Sequence, residues 1–218
     1  MAWGAGVTIA LVTAAQSDPV TTAEAKTHMR VDFSTDDSYI AGLIAKATAF
    51  AQHQTHRQFV SATFRQSWDT VPSALEPRDP SRYLPGLFVP SEANVVGVKL
   101  GREPVTAVSW VKYYDATDTL QTVSGSDYWT DLDSSPPRIV PKTSWPVVHP
   151  QRPNAFQVQF VAGYGDASAV PALLKHAILM LVSHWYEHRE PVVTGTVVTP
   201  VPMAVESILL QFEAGRLP

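Results

Sequence analysis

Between residues 156 and 190 the hydrophobic period of the sequence switches once, and that switch limits the fold more than any other stretch. Phe156, Val158 and Phe160 alternate with Gln157 and Gln159, the two-residue period of a strand with one buried face. Gly163-Tyr164-Gly165 breaks the strand, and Pro171 stands where a helix can begin. The block Ala172 to Glu190 then reads ALLKHAILMLVSHWYEHRE. Its Leu174, Ala177, Ile178, Leu181 and Trp185 recur at helical spacing and form one apolar stripe. A proline-framed linker, Pro191 to Pro202, leads to a short amphipathic segment, Val205 to Phe212.

Helix signals return near the other end. Thr21-Thr22-Ala23-Glu24 has the spacing of a capping box, with Thr21 as the cap and Glu24 reaching back to its amide. The spacing predicts a short helix over Thr22 to Met29. A second start, Ser34-Thr35-Asp36-Asp37, precedes Ile40, Leu43, Ile44, Ala47, Phe50 and Ala51 on one helical stripe. The acidic residues of its first turn complement the helix dipole.

Between these helices the pattern is that of strands. Ser61 to Val71 alternates polar and apolar residues, and five prolines in Pro72 to Pro90 predict an extended loop. Val95 to Leu100 and Val105 to Tyr114 read as strands. Asp115 to Asp118 turns the chain into Thr119 to Val123, a hairpin. Tyr128-Trp129 and Arg138 to Val140 are shorter strands, and Phe156 to Ala162 closes the series. The expected class is therefore α+β, with N- and C-terminal helices packed into a helical bundle around a β-rich insertion. The expected divisions are an N-terminal arm over 1–18, a helical domain from 19–60 and 166–218, and an insertion over 61–165.

Composition bounds the chemistry. The chain has 218 residues, no cysteine, and 16 Lys and Arg against 20 Asp and Glu, a net charge of −4. Disulfides, thiolate nucleophiles and cysteine zinc sites are thereby excluded. No Lys/Arg cluster exists to neutralise phosphates, so the chain lacks the basic stripe that gripping DNA requires. The apolar run Ala177 to Val182 falls far short of a membrane span, and no membrane role is expected. The opening MAWGAGVTIALVTAA lacks a basic n-region and is interrupted by Gly4, Gly6 and Thr8. It reads as an arm with a strand over Val7 to Val12 rather than a signal peptide.

Two motifs suggest chemistry. His184-Trp185-Tyr186-Glu187-His188 matches H-x-x-E-H, in which two histidines on one helical face hold zinc beside a glutamate base. Yet both histidines lie at the margin of the apolar stripe, Pro191 follows at once, and only Glu206 and Glu213 remain downstream as a third ligand. A last-turn histidine is favoured by the helix dipole alone. Gly163-Tyr164-Gly165-Asp166-Ala167-Ser168 lies between strand and helix like a dinucleotide loop, but Ser168 replaces the third glycine and no parallel βαβ unit surrounds it. His53 and His56 read as a solvated helix end. No catalytic, cofactor-binding or metal residue is assigned, no cofactor is expected, and an enzyme is not.

The stretches PVTTAEAKTHMRVD (19–32) and DDSYIAGLIAKATAFAQHQTHRQF (36–59) resemble the opening of tailed-phage head–tail connector proteins, also called adaptor or head-completion proteins. VQFVAGYGDASAVPALLKHAILMLVSHWYEHRE (158–190) and VPMAVESILLQF (201–212) are similar to the second half of that family, and the β-rich middle to its larger variant. The resemblance implies a structural virion protein that assembles into a homo-oligomeric, dodecameric ring beneath the portal protein. Such a ring extends the DNA channel, lets DNA pass without sequence-specific binding, and docks a downstream neck or tail protein. The protein would be made in the host cytoplasm and reside in the virion neck. A net negative charge suits a channel wall that must not hold DNA.

The candidate portal or subunit interface consists of Trp185, Tyr186, Arg189, Val197, Val198, Met203, Ile208, Leu209 and Phe212. The uncharged, β-branched linker Val192 to Pro202 suits a segment laid against a partner. By family analogy the C-terminal tail engages the portal, so deleting Val201 to Pro218 is expected to abolish portal binding and leave the fold. The alternatives are another neck or tail protein, a stopper or tail terminator, or a zinc-dependent hydrolase built on His184, Glu187 and His188.

Overall fold

A computed structural model describes residues 7–71, 97–188 and 203–214. In chain order the elements are β1 (Val7–Thr13), α1 (Thr22–Met29), α2 (Asp37–Thr55), β2 (Ala62–Trp68), β3 (Val98–Lys99), β4 (Val105–Tyr114), β5 (Leu120–Val123), β6 (Tyr128–Asp131), β7 (Arg138–Pro141), β8 (Phe156–Ala162), α3 (Ala172–Glu187) and α4 (Met203–Gln211). The class is α+β. A five-stranded sheet has the order β1-β2-β8-β4-β5, and a three-stranded sheet has the order β3-β7-β6. The pairs β4–β5, β3–β7 and β6–β7 are antiparallel. The Pro72–Pro90 loop expectation lies outside the described residues.

The chain divides into two compact units: Met1–Ala10, Arg65–Gly101 and Val108–Phe160 form one, and Leu11–Phe64, Arg102–Ala107 and Val161–Pro218 the other. Helices α1 to α4 belong to the second. The α1 start follows from its capping box: Glu24 N–H donates to Thr21 Oγ1 at 3.2 Å, and Thr21 N–H to Glu24 Oε2 at 2.7 Å. Thr21 therefore holds the Glu24 carboxyl below its ordinary range, through its amide first and its hydroxyl second. Helix α2 buries Ile40, Leu43, Ile44, Ala47 and Ala51 against Leu174, Ala177, Ile178 and Leu181 of α3. From α4, Val205 (0% exposed) and Leu209 (4%) complete the same core. Helices this short hold together in water through such shared apolar faces more than through their own propensity.

In the first unit, β8 buries alternate residues, as its period requires: Phe156, Val158 and Phe160 are inaccessible. The Trp68 and Trp145 rings lie 5.9 and 5.2 Å from that of Phe156. Gln66 is fully buried with its amide satisfied, accepting from Gly101 N–H at 2.9 Å and donating to Lys99 O at 3.3 Å. That pairing removes the cost of an orphan polar group.

Candidate functional site

The C-terminal segment is where sequence and structure meet most closely. Helix α3 begins at Pro171, whose carbonyl accepts from Leu174 N–H at 3.0 Å, and buries Leu174, Ala177, Ile178, Leu181 and Val182. Near its end, Trp185 meets Phe50 of α2 edge-to-face at 6.1 Å. Tyr186 donates its hydroxyl hydrogen to Asp36 Oδ2 at 2.6 Å and packs near Tyr39. Trp185 and Tyr186, expected as interface anchors, thus fasten the last turns of α3 to α2 and the residue that precedes it.

The other expected interface residues divide. Arg189, Val197 and Val198 lie outside the described residues. Met203 is 77% exposed, while Ile208 and Phe212 are half-buried against the helical core. Leu209 is part of that core, 4% exposed. The inward stripe of α4 is Val205 and Leu209; the outward one is Met203 with Leu210, seven positions on and half exposed. Leu210 is not among the expected interface residues, although its seven-residue spacing from Met203 places it on the same helical face. Because Val205 and Leu209 are buried, deleting residues 201–218 would uncover part of the helical core as well as remove the tail.

The end of α4 is anchored by residues that no motif singles out. Arg57 Nε donates to the Phe212 carbonyl at 2.6 Å, and Ala214 N–H donates to Thr55 O at 2.9 Å. A second arm of the guanidinium lies 3.3 Å from the buried Glu103 carboxylate. Burial pushes the Tyr164 phenol up, with the Arg57 charge opposing. Helix α2 ends at His56 in the left-handed region (φ 54°), and this sharp stop lets the following residue, Arg57, turn to the tail.

The glycine loop is a structural crossing. Gly163 N–H donates to Pro104 O, Tyr164 N–H to Phe59 O, and Ser61 N–H to Gly165 O, at 2.8, 2.9 and 2.8 Å. Gly163 has φ 131°, and a Cβ there would stand 2.6 Å from Ser61 Cα, so only glycine fits. Asp166 Oδ1 accepts from Ser168 Oγ, Ser168 N–H and Ala169 N–H. These bonds hold the Asp166 carboxyl below its usual range, the Ser168 hydroxyl contributing most. The amides of Gly163, Tyr164, Ser168 and Ala169 are thus engaged by protein acceptors.

At the H-x-x-E-H motif the His184 and His188 rings lie 4.7 Å apart. His188 caps α3, its N–H donating to His184 O at 3.0 Å. Among the described residues, no group of three or more His, Cys, Asp and Glu side chains is placed to hold a metal ion. The His53 and His56 rings lie 6.2 Å apart at the end of α2. None of the described helices is long and apolar enough to cross a membrane.

Comparison with known proteins finds a family model that matches part of the chain. Residues 20–84, which carry α1, α2 and β2, match the phage gp6-like head-tail connector protein family. The resemblance read from the helical segments is thus matched by a family model at the N-terminal end. The fold as a whole is similar to a chain from the neck of an empty gene transfer agent (GTA) particle computed with C6 symmetry, with TM-score 0.71 and 20% identity over 97% of each chain. A chain from the virion of the native GTA particle gives 0.72 and 21%, covering 96% of this chain and 97% of that one. A chain from the neck of the native particle computed with C12 symmetry gives 0.69 and 20% over 97% of each. No curated protein sequence matches.

Proposed function

We propose that this protein is a structural component of the virion neck, a head–tail connector whose copies close into a ring beneath the portal and continue the DNA channel towards the tail. The observation that carries this reading is mutual coverage: 97% of this chain and 97% of a GTA neck chain share one fold. The likeness therefore extends over the whole architecture, and the family match at residues 20–84 supports the same reading from sequence. The C6 and C12 symmetries of those neck particles favour a ring, for which twelve copies is the proposed number.

In this reading the N- and C-terminal helices form the bundle that is the body of each subunit, and the β-rich stretch 61–165 is an insertion into it. The outward face of α4, Met203 and Leu210, with the segment around Arg189, Val197 and Val198, is offered to the portal or a neighbouring subunit. A downstream neck or tail protein docks on the opposite end of the ring. DNA passes without sequence-specific contact, in keeping with a net charge of −4. The role is structural rather than catalytic.

The test is native mass spectrometry of the full chain, alone and mixed with its portal. A stoichiometric ring-on-ring complex is expected; a chain that stays monomeric in both conditions overturns the reading. Since residues 203–214 help close the core, the portal contact is probed with Met203→Glu and Leu210→Glu, which leave buried residues in place. Loss of the complex with an unchanged melting temperature supports the assigned face; undiminished binding removes it.

A further inference from the structure

The five-stranded sheet ends in two strands that each have one pairing edge unoccupied by any other strand of the sheet, β1 and β5. Edge strands in soluble proteins are ordinarily blunted by charge, proline or a bulge, because an open ladder edge recruits other chains. Strand β1 has none of the first two: its seven residues, VTIALVT, are uncharged and contain neither proline nor glycine. Its second half is open on both faces. Leu11 is 57% exposed and Val12 48%, and adjacent residues of a strand point to opposite sides. Strand β5, LQTV, is likewise uncharged, with Leu120 45% exposed.

Resting on the connector reading, we propose that β1 of one subunit pairs edge to edge with β5 of the next, so that the sheets of neighbouring copies join head to tail around the ring. A cyclic ring needs a heterologous interface: two different surfaces on one subunit, each complementary to the other. The two ends of a single sheet meet that requirement with one continuous set of backbone donors and acceptors. Pairing β1 with β1 would close at a dimer and leave β5 open. A foreign strand on β1 would leave the same edge without a partner. Main-chain pairing supplies the affinity in such strand additions, and the side chains on either face supply register. Here Leu11 and Val12 would be covered by the β5 side of the neighbour, with Leu120 among the covering residues.

The absence of cysteine makes the pairing directly testable. The full-length chain is prepared as Leu11→Cys, as Leu120→Cys and as the double variant, assembled alone and with the portal ring, and treated with a short bis-maleimide. The double variant should give a ladder of covalent multimers reaching the full ring, and both single variants should remain monomeric on a denaturing gel. Rings intact by native mass spectrometry but giving no ladder overturn the pairing and leave the connector reading standing. A covalent dimer from Leu11→Cys alone overturns it in favour of β1–β1 contact. Absence of rings in either condition removes the connector reading and the pairing with it.

A second arm uses Leu11→Lys with Val12→Lys, both at exposed positions. The expected result is at least a tenfold rise in the concentration needed for half-assembly, with an unchanged melting temperature of the monomer. Unaltered assembly overturns the proposal.

Discussion

Arg57 donates its Nε hydrogen to the main-chain carbonyl of Phe212 at 2.6 Å, joining positions 155 residues apart. With Ala214 N–H on Thr55 O, this bond fixes the end of the C-terminal helix at the end of α2. The same guanidinium faces the buried Glu103, so one side chain serves two segments distant in sequence.

Replacing Arg57 by methionine keeps most of the aliphatic packing and removes the donors. A hydrogen bond from a charged donor contributes about 1.5–3 kcal/mol, and a loss in that range is expected in chemical denaturation. Amide hydrogen exchange should accelerate across α4 while α1 keeps its protection. Equal acceleration in all four helices would show that Arg57 supports the core at large and is no tail anchor.

Gly163→Ala introduces a Cβ 2.6 Å from Ser61 Cα at a φ of 131°. Backbone strain and overpacking together should cost on the order of 3 kcal/mol. A calorimetric melting temperature within a degree of the parent would contradict the close approach. Gly42, with nothing near its Cβ position, is the control: alanine there should stabilise α2, by about 1 kcal/mol at most.

Thr48 is 6% exposed in α2, and its hydroxyl has no hydrogen-bond partner among the described residues. A buried polar group without a partner carries a desolvation penalty. Thr48→Val keeps the shape and removes that penalty, so a gain of about 1 kcal/mol is expected in urea denaturation. A loss of stability would mean that the hydroxyl is satisfied in solution.

Asp115 organises the β4–β5 hairpin. Its carboxylate accepts from Thr117 Oγ1 at 2.7 Å, Gln121 Nε2 at 2.8 Å, Thr117 N–H at 2.9 Å and Thr119 N–H at 3.1 Å. These bonds, the Thr117 hydroxyl first, bring its pKa down from 3.8 to about 2. A depressed folded-state pKa stabilises the hairpin above the unfolded value and loses that contribution as pH falls through the folded one. The window runs from about pH 4 to 2. Carboxyl NMR should place the midpoint near 2, and Thr117→Val should raise it. A midpoint near 3.8 in the parent would remove the hydrogen-bond account.

Elements with strong local signals were legible in the sequence. The capping box at Thr21 and Glu24 marked the start of α1, Thr22–Met29, and the strand patterns of β4 and β8 were read with their observed bounds, Val105–Tyr114 and Phe156–Ala162. Assigning an apolar face to its partner was less legible. The stripe of α4 is the same whether it faces a neighbour or its own subunit, and only the fold shows that Leu209 faces inward. Trp185 and Tyr186 posed the same ambiguity, and the fold ties both to α2 and its approach. Arg57 and Glu103 were invisible as a site because neither belongs to a local motif; contacts between residues dozens of positions apart or more leave no periodic trace.

The clasp at Thr55 and Arg57 also sets a load path. A pull on the C-terminus first meets the Ala214–Thr55 bond, then the Arg57–Phe212 bond, before it reaches the internal hydrogen bonds of α4. Tension applied to the tail is thereby delivered to the end of a 19-residue helix, α2, instead of unwinding the nine-residue one. The tail is tethered at its root, and force on it is borne by the helical body.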